Sequence, residues 1–264
     1  MILAMDVGNT NIVLGCIEEG EILHVFRIQT EPGRTEMEYA IKIKQLMELY
    51  GLEEKAFEGA ILSSVVPPVT GAVASAVKLL TGCDCLVVGP GVKTGLNIRI
   101  DDPGTLAGDL LVGSVAALEH YGAPVMVLDM GTATTLTVVD RNRSFIGGAI
   151  LAGVKLSLRA LAEGTSLLPD ISIQAPRKCI ASNTVDCMRA GAVYGTAAMV
   201  DGLIDRMEAE LGYSCPVVAT GGLARSITSH CRREILYDEH LLLKGLWALY
   251  RKNRPEGGKG GQEE

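Results

Sequence analysis

The chain has 264 residues, enough for one large domain or two smaller ones with substantial cores, and its 48% hydrophobic and 21% charged content excludes disorder over most of the length. A net charge of −7 excludes an extended basic nucleic-acid surface, and no run approaches the roughly 18 apolar residues that a bilayer span needs. Seven cysteines without a C-x-x-C pair exclude a disulfide frame or a zinc site by pattern, and they are expected to be reduced thiols in a cytoplasmic protein.

In chain order, residues 2–7, 11–17 and 22–29 are apolar, β-branched runs separated by Gly-Asn-Thr and Glu-Glu-Gly, which predicts a three-stranded meander. Helical periodicity follows over 36–50, then a short buried strand at 59–65, a helix opened by Pro67-Pro68 and a strand at 85–88. Asp102-Pro103 is the pairing expected of an N-cap and first turn, predicting a helix from there to Tyr121, where Gly122 ends it.

The pattern then begins again. Strands are predicted at 124–129, 134–140 and 144–151, helices at 153–163 and 183–211, a strand at 217–219, and helices near 222–232 and 239–252. Comparison of AMDVGNTNIVLGCIEEGEI with VLDMGTATTLTVVDRNRSF shows the same order of Asp at a strand end, Gly two residues on, and then an amide or hydroxyl. An internal duplication is therefore expected, with domains at 1–121 and 122–253. The Gly-rich polar tail over 254–264 is expected to be disordered.

The repeated loops carry the chemistry. A hairpin with a bare Gly8 lets backbone N–H groups approach phosphate, and Asn9, Thr10 and Asn11 add side-chain donors. A carboxylate beside such a loop repels phosphate unless a hard cation lies between them, so Asp6 reads as a Mg²⁺ and phosphate residue. The alternative is a turn aspartate that satisfies only its own amides. Asp129, Gly131 and Thr132 repeat the equipment, so one nucleotide can lie between the two hairpins. Thr220, Gly221 and Gly222 follow a strand and open a helix, giving bare backbone against which an adenosine can pack. Asp109, two turns into the helix predicted from Pro103 and set among apolar residues, reads either as a desolvated general base or as a surface carboxylate complementing the helix dipole.

Asp6-Val7-Gly8-Asn9-Thr10, Val92-Lys93-Thr94-Gly95-Leu96-Asn97, Asp129-Met130-Gly131-Thr132-Ala133-Thr134-Thr135, Gly147-Gly148-Ala149-Ile150 and Thr220-Gly221-Gly222 occur in the order found in type III pantothenate kinases. Over residues 1–253 the chain resembles that family, part of the actin-like ATPase and acetate and sugar kinase superfamily. The resemblance implies an α/β fold of two RNase H-like domains with mixed five-stranded sheets flanked by helices. It also implies a cytoplasmic homodimer that phosphorylates pantothenate with ATP, Mg²⁺ and K⁺ or NH₄⁺, the first step of coenzyme A synthesis.

By position, the resemblance makes Asp6, Asn9 and Thr10 phosphate and metal residues, Gly131 and Thr132 the second side of the phosphates, and Asp129 a monovalent-cation residue. It makes Asp109 the general base and places Thr184 in the pantothenate pocket of the partner subunit. The acceptor side is divergent. Ala107-Gly108-Asp109-Leu110 stands where the family reads Gly-x-Asp-Arg, and Ile100 replaces a tyrosine. Three outcomes follow: a pantothenate kinase whose substrate carboxylate is held by Arg99 or Arg189, a kinase of a different small alcohol or hydroxy acid, or a non-catalytic ATP-binding regulatory paralogue.

Overall fold

In a computed structural model, residues 1–254 are described; the tail expected to be disordered lies, apart from Arg254, outside the described residues. The fold divides into two units, one made of Met1–Leu96, Asp102–Glu119 and the residues from Leu242 on, the other of Asn97–Asp101 and His120–Leu241.

The first unit opens with an antiparallel meander, β1 (Ile2–Val7), β2 (Asn11–Glu18) and β3 (Glu21–Gln29), because each apolar run is cut by a turn that reverses it. Helix α1 (Glu36–Leu49) starts with a reciprocal cap between Thr35 and Glu38. Strand β4 (Gly59–Ser64) pairs parallel with β1, and after α2 (Pro67–Thr81) the short β5 (Cys85–Val87) extends the sheet to the order β3-β2-β1-β4-β5. Leu3, Met5, Val7 and Leu14 pack one face of this sheet against Tyr39, Ile43, Val73 and Val77 of the two helices. Strand β6 (Asn97–Ile98) belongs to the other unit, and α3 (Gly108–Tyr121) follows.

The second unit repeats the plan. Strands β7 (Val125–Met130), β8 (Ala133–Val139) and β9 (Ser144–Ala152) form a meander. Helix α4 (Val154–Gly164) follows, and then α5 (Thr184–Ala190) runs through a π turn at Gly191–Gly195 into α6 (Thr196–Leu211). Strand β10 (Val217–Thr220) pairs parallel with β7, and beyond α7 (Ala224–Thr228) the two-residue β11 (Leu236–Tyr237) pairs parallel with β10. The order β11-β10-β7-β8-β9-β6 is the first sheet's order read from the other end, with β6 added parallel to β9. The fold class is thus the expected duplicated α/β plan of mixed sheets flanked by helices, with one correction: the second sheet has six strands, not five.

The last helix, α8 (Leu241–Asn253), packs within the first unit although it follows the second in sequence. Bare backbone makes this possible. A Cβ at Gly15 of β2 would lie 2.8 Å from Leu243, one at Gly59 of β4 would lie 2.7 Å from Cζ of Tyr250, and one at Gly245 would lie 2.8 Å from Val112 of α3. The first sheet's second face is therefore covered by α8 at van der Waals distance, with α8 and α3 in contact. The boundary expected at residue 121 assigns α8 to the other half, because periodicity finds a helix but not the sheet that receives it.

Candidate active site

In the first unit, Asp6 is the last residue but one of β1 and is in register with Val13 of β2 and Ser63 of β4. Side chains alternate along a strand, so Asp6 and Ser63 share the face that carries Gly15 and Gly59, opposite the core of Leu3 and Met5. The loop after Asp6 is closed by its own backbone: the Gly8 N–H donates to the Asn11 carbonyl at 3.0 Å. Thr30, itself buried, braces it by donating from Oγ1 to the Gly8 carbonyl at 2.7 Å and from its N–H to the Thr10 carbonyl at 3.0 Å. The Gly8 N–H expected to meet phosphate is therefore spent on the turn, and the exposed groups of the loop are Asn9 and Thr10, with Asn11 half-buried.

The helix bearing Asp109 starts later than expected. Asp102 caps only a single 3-10 turn, Pro103–Thr105, by accepting from the Gly104 N–H at 3.0 Å. Leu106 is extended, and α3 begins at Gly108, so Asp109 sits in its first turn rather than its second. Gly108 lies against the end of β4: a Cβ there would be 3.0 Å from Ser63 Oγ. This brings the start of α3 to the C-terminal ends of β1 and β4, where Asp6 and Ser63 stand. The Asp109 carboxylate accepts from the Leu110 N–H at 2.8 Å. Burial nevertheless pushes its pKa up, desolvation outweighing the backbone hydrogen bonds that favour the ion. A half-buried carboxylate of raised basicity is suited to accept a proton from an alcohol.

In the second unit Asp129 occupies the equivalent place on β7, in register with Thr135 of β8 and Thr220 of β10. Here too the N–H of the loop glycine is used locally, Gly131 donating to the Ala133 carbonyl at 3.0 Å. Gly131 and Thr132 form an exposed tip. Two further glycines press on this loop. Gly221, in the left-handed region at φ 96°, would place a Cβ 2.7 Å from both Asp129 Oδ1 and the Met130 carbonyl oxygen, and Gly153 would place one 2.6 Å from the Gly131 carbonyl oxygen. Gly222 is exposed beyond them, ahead of α7.

The acceptor-side residues fall in different places. Ala107, Gly108 and Leu110 are half-buried around the start of α3 in the first unit, whereas Ile100, beyond β6 in the second, lies over Gly147. Thr184 is exposed as the first residue of α5, where Asn183 caps the helix by accepting from the Asp186 N–H at 2.9 Å. Of the two cations expected to hold a substrate carboxylate, Arg189 is occupied: it pairs with Asp186 at 3.3 Å and donates to both the Ser172 carbonyl and hydroxyl. Arg99 is exposed, with only its backbone engaged among the bonds described, the N–H donating to the Phe145 carbonyl at 2.8 Å. Ser63 and Thr30 were not expected at the site. A signal for Ser63 is present in the sequence, since the fourth strand of each unit ends its apolar run in a hydroxyl, GAILSS in one and VVAT in the other.

The chain is similar to proteins of one known family. The sequence profile of type III pantothenate kinase matches residues 2–206. A type III pantothenate kinase of Halalkalibacterium halodurans is 40% identical over 253 residues, 96% of this chain and 100% of the relative, and one of Bacillus cytotoxicus is 41% identical over 253 residues, 96% and 97% respectively. Among solved structures, component A of (R)-2-hydroxyglutaryl-CoA dehydratase from Acidaminococcus fermentans matches with a TM-score of 0.56 at 16% identity, covering 94% of this chain and 96% of that one, a likeness of fold alone. With two repeated sheets, an aspartate at the same strand position in each, and relatives of this identity along nearly the whole length, the chain belongs to the type III pantothenate kinase family.

Proposed function

We propose that the chain transfers the γ-phosphoryl group of ATP to the primary hydroxyl of pantothenate, the first step of coenzyme A synthesis, with Asp109 as general base. The observation that carries this is the juxtaposition in the first unit of Asp6, Ser63 and the Asp109 turn of α3 at the C-terminal ends of two parallel strands. Desolvation keeps Asp109 more basic than an ordinary aspartate, so it takes the acceptor proton as the oxygen attacks phosphorus. Asn9 and Thr10, exposed on a loop held by Thr30, orient the phosphates in the first unit, and in the second Thr132 stands at a phosphate-binding tip braced by Gly153 and Gly221.

The residues fit the cations the family implies. Mg²⁺ keeps several waters and takes one or two carboxylates plus phosphate oxygens, so a single strand-end carboxylate can serve it. Asp6, with the buried and unpaired Ser63 hydroxyl in register beside it, would hold it. Asp129 and the Met130 carbonyl, around the space a Cβ at Gly221 would fill, offer the oxygens that K⁺ or NH₄⁺ takes. When bound, these cations neutralise charge on the phosphates.

A second reading, a different small alcohol or hydroxy acid as acceptor, is favoured by Leu110 in place of the family's arginine and by the engagement of Arg189 with Asp186 and Ser172. Under the first reading Arg99 holds the pantothenate carboxylate. We further infer a cytoplasmic homodimer with Thr184 given to the partner's acceptor pocket. In the second unit Ile150, Leu167 and Ile180 are exposed at 73%, 89% and 91%, side chains that such an association would have available to bury. Coupled measurement of ADP release with pantothenate and a panel of hydroxy acids tests both readings. Pantothenate should give the highest kcat/KM. A higher value for another acceptor establishes the second reading, and nucleotide binding without acceptor-dependent turnover leaves only a regulatory role.

A further inference from the structure

Ser63 is fully buried at the end of β4, and its Oγ has no hydrogen-bond partner in the protein. A buried hydroxyl without a partner costs stability, and one that stands beside a strand-end carboxylate is placed to meet a ligand bound there. Its surroundings indicate what. It is in register with Asp6 on the same sheet face, Gly108 touches it from the start of α3, and Asp109 follows at once in the chain. Paired strands run about 4.8 Å apart, a gap that one water between two side chains in register can span, and water is the ligand that a magnesium ion retains when it binds through few carboxylates.

We propose that Ser63 is a positioning residue that orients a water of the hydrated divalent cation held by Asp6. This rests on the kinase reading given above. The hydroxyl would accept from, or donate to, that water, fixing the cation's orientation without ligating it directly, and such outer partners set metal affinity strongly. The second unit supplies an internal parallel: Thr220 holds the equivalent register beside Asp129, so each unit pairs its strand-end aspartate with a hydroxyl on the neighbouring parallel strand.

The test is nucleotide binding by calorimetry across a magnesium titration and in EDTA, on the wild type, Ser63→Ala and Ser114→Ala. Ser114 is a second fully buried serine of the first unit whose Oγ is also unpartnered, which controls for loss of any such hydroxyl. Ser63→Ala should raise the magnesium concentration for half-saturation by about tenfold or more. Its affinity for metal-free ATP and its melting temperature should stay at or above wild type, with Ser114→Ala unchanged in all three. A magnesium requirement within twofold of wild type in folded Ser63→Ala overturns the proposal, as does an equal loss of affinity in EDTA. Magnesium-independent nucleotide binding in the wild type overturns this proposal alone, whereas absence of any ATP binding overturns the kinase reading with it.

Discussion

The two strand-end aspartates stand at the same register in two copies of one sheet plan, yet their loops are held differently. Around Asp6 the bracing comes from Thr30, whose hydroxyl is tied to Gly8 and whose backbone N–H is tied to Thr10, and the start of α3 lies against the C-terminal end of the neighbouring strand. Around Asp129 it comes from bare backbone, with Gly153 and Gly221 packed so closely that a methyl group has no room. The two loops therefore differ in what can loosen them: loss of a hydrogen bond in the first unit, gain of a methyl group in the second.

Removing the base should break this comparison most strongly. Asp109→Asn is expected to lower kcat by about 100- to 10,000-fold while leaving ATP affinity close to wild type. Its effect on stability has the opposite sign. Burial raises the folded pKa of Asp109, so ionisation costs folding free energy as pH rises through that value, and below the ordinary aspartate range both states are protonated. The variant should therefore melt no lower than wild type at pH 8, with the two curves converging near pH 3. A variant that melts markedly lower at pH 8 would show that Asp109 is chiefly structural. In the active enzyme the same shift moves the acid limb of kcat/KM above the range of an exposed aspartate.

The next largest effect is expected in the other loop. Gly221→Ala combines a left-handed backbone with overlap on Asp129 and Met130, and should cost about 2–4 kcal/mol in urea unfolding. Thr30→Val removes the hydroxyl bond to Gly8, for a loss of about 1 kcal/mol and a several-fold rise in the KM for ATP. Smallest of all is Gly8→Ala, where the new Cβ would sit 3.3 Å from the Asn11 carbonyl oxygen, a contact a small shift relieves, for under about 1 kcal/mol of stability. Equal costs at Gly8 and Gly221 would contradict the contrast between the loops.

Much of this was legible in the residues. The meander strands and the repeated Asp-x-Gly loops follow from alternation and turn chemistry, and the structure keeps those strands with shifts of a residue or so at their ends. What failed did so for local reasons. Asp102-Pro103 is a sound helix start, yet it caps a single 3-10 turn because Leu106 then goes extended. Strands β6 and β11, two residues each, are too short to show a period. The π turn inside the long helix leaves the apolar pattern almost unbroken, so the sequence presents one helix over 183–211. At the site, the carboxylates were visible from motif and resemblance. Thr30 was hidden because its role depends on tertiary register, and Ser63 was marked only by the hydroxyl that ends its strand's apolar run.

The most direct test of the central claim is mass spectrometric detection of phosphorylated pantothenate after incubating the purified protein with pantothenate, ATP, Mg²⁺ and K⁺. The account predicts that 4′-phosphopantothenate forms in step with ADP and that Asp109→Asn, while still binding ATP, forms almost none. Product formation by Asp109→Asn at the wild-type rate, or none by the wild type under those conditions, would contradict it.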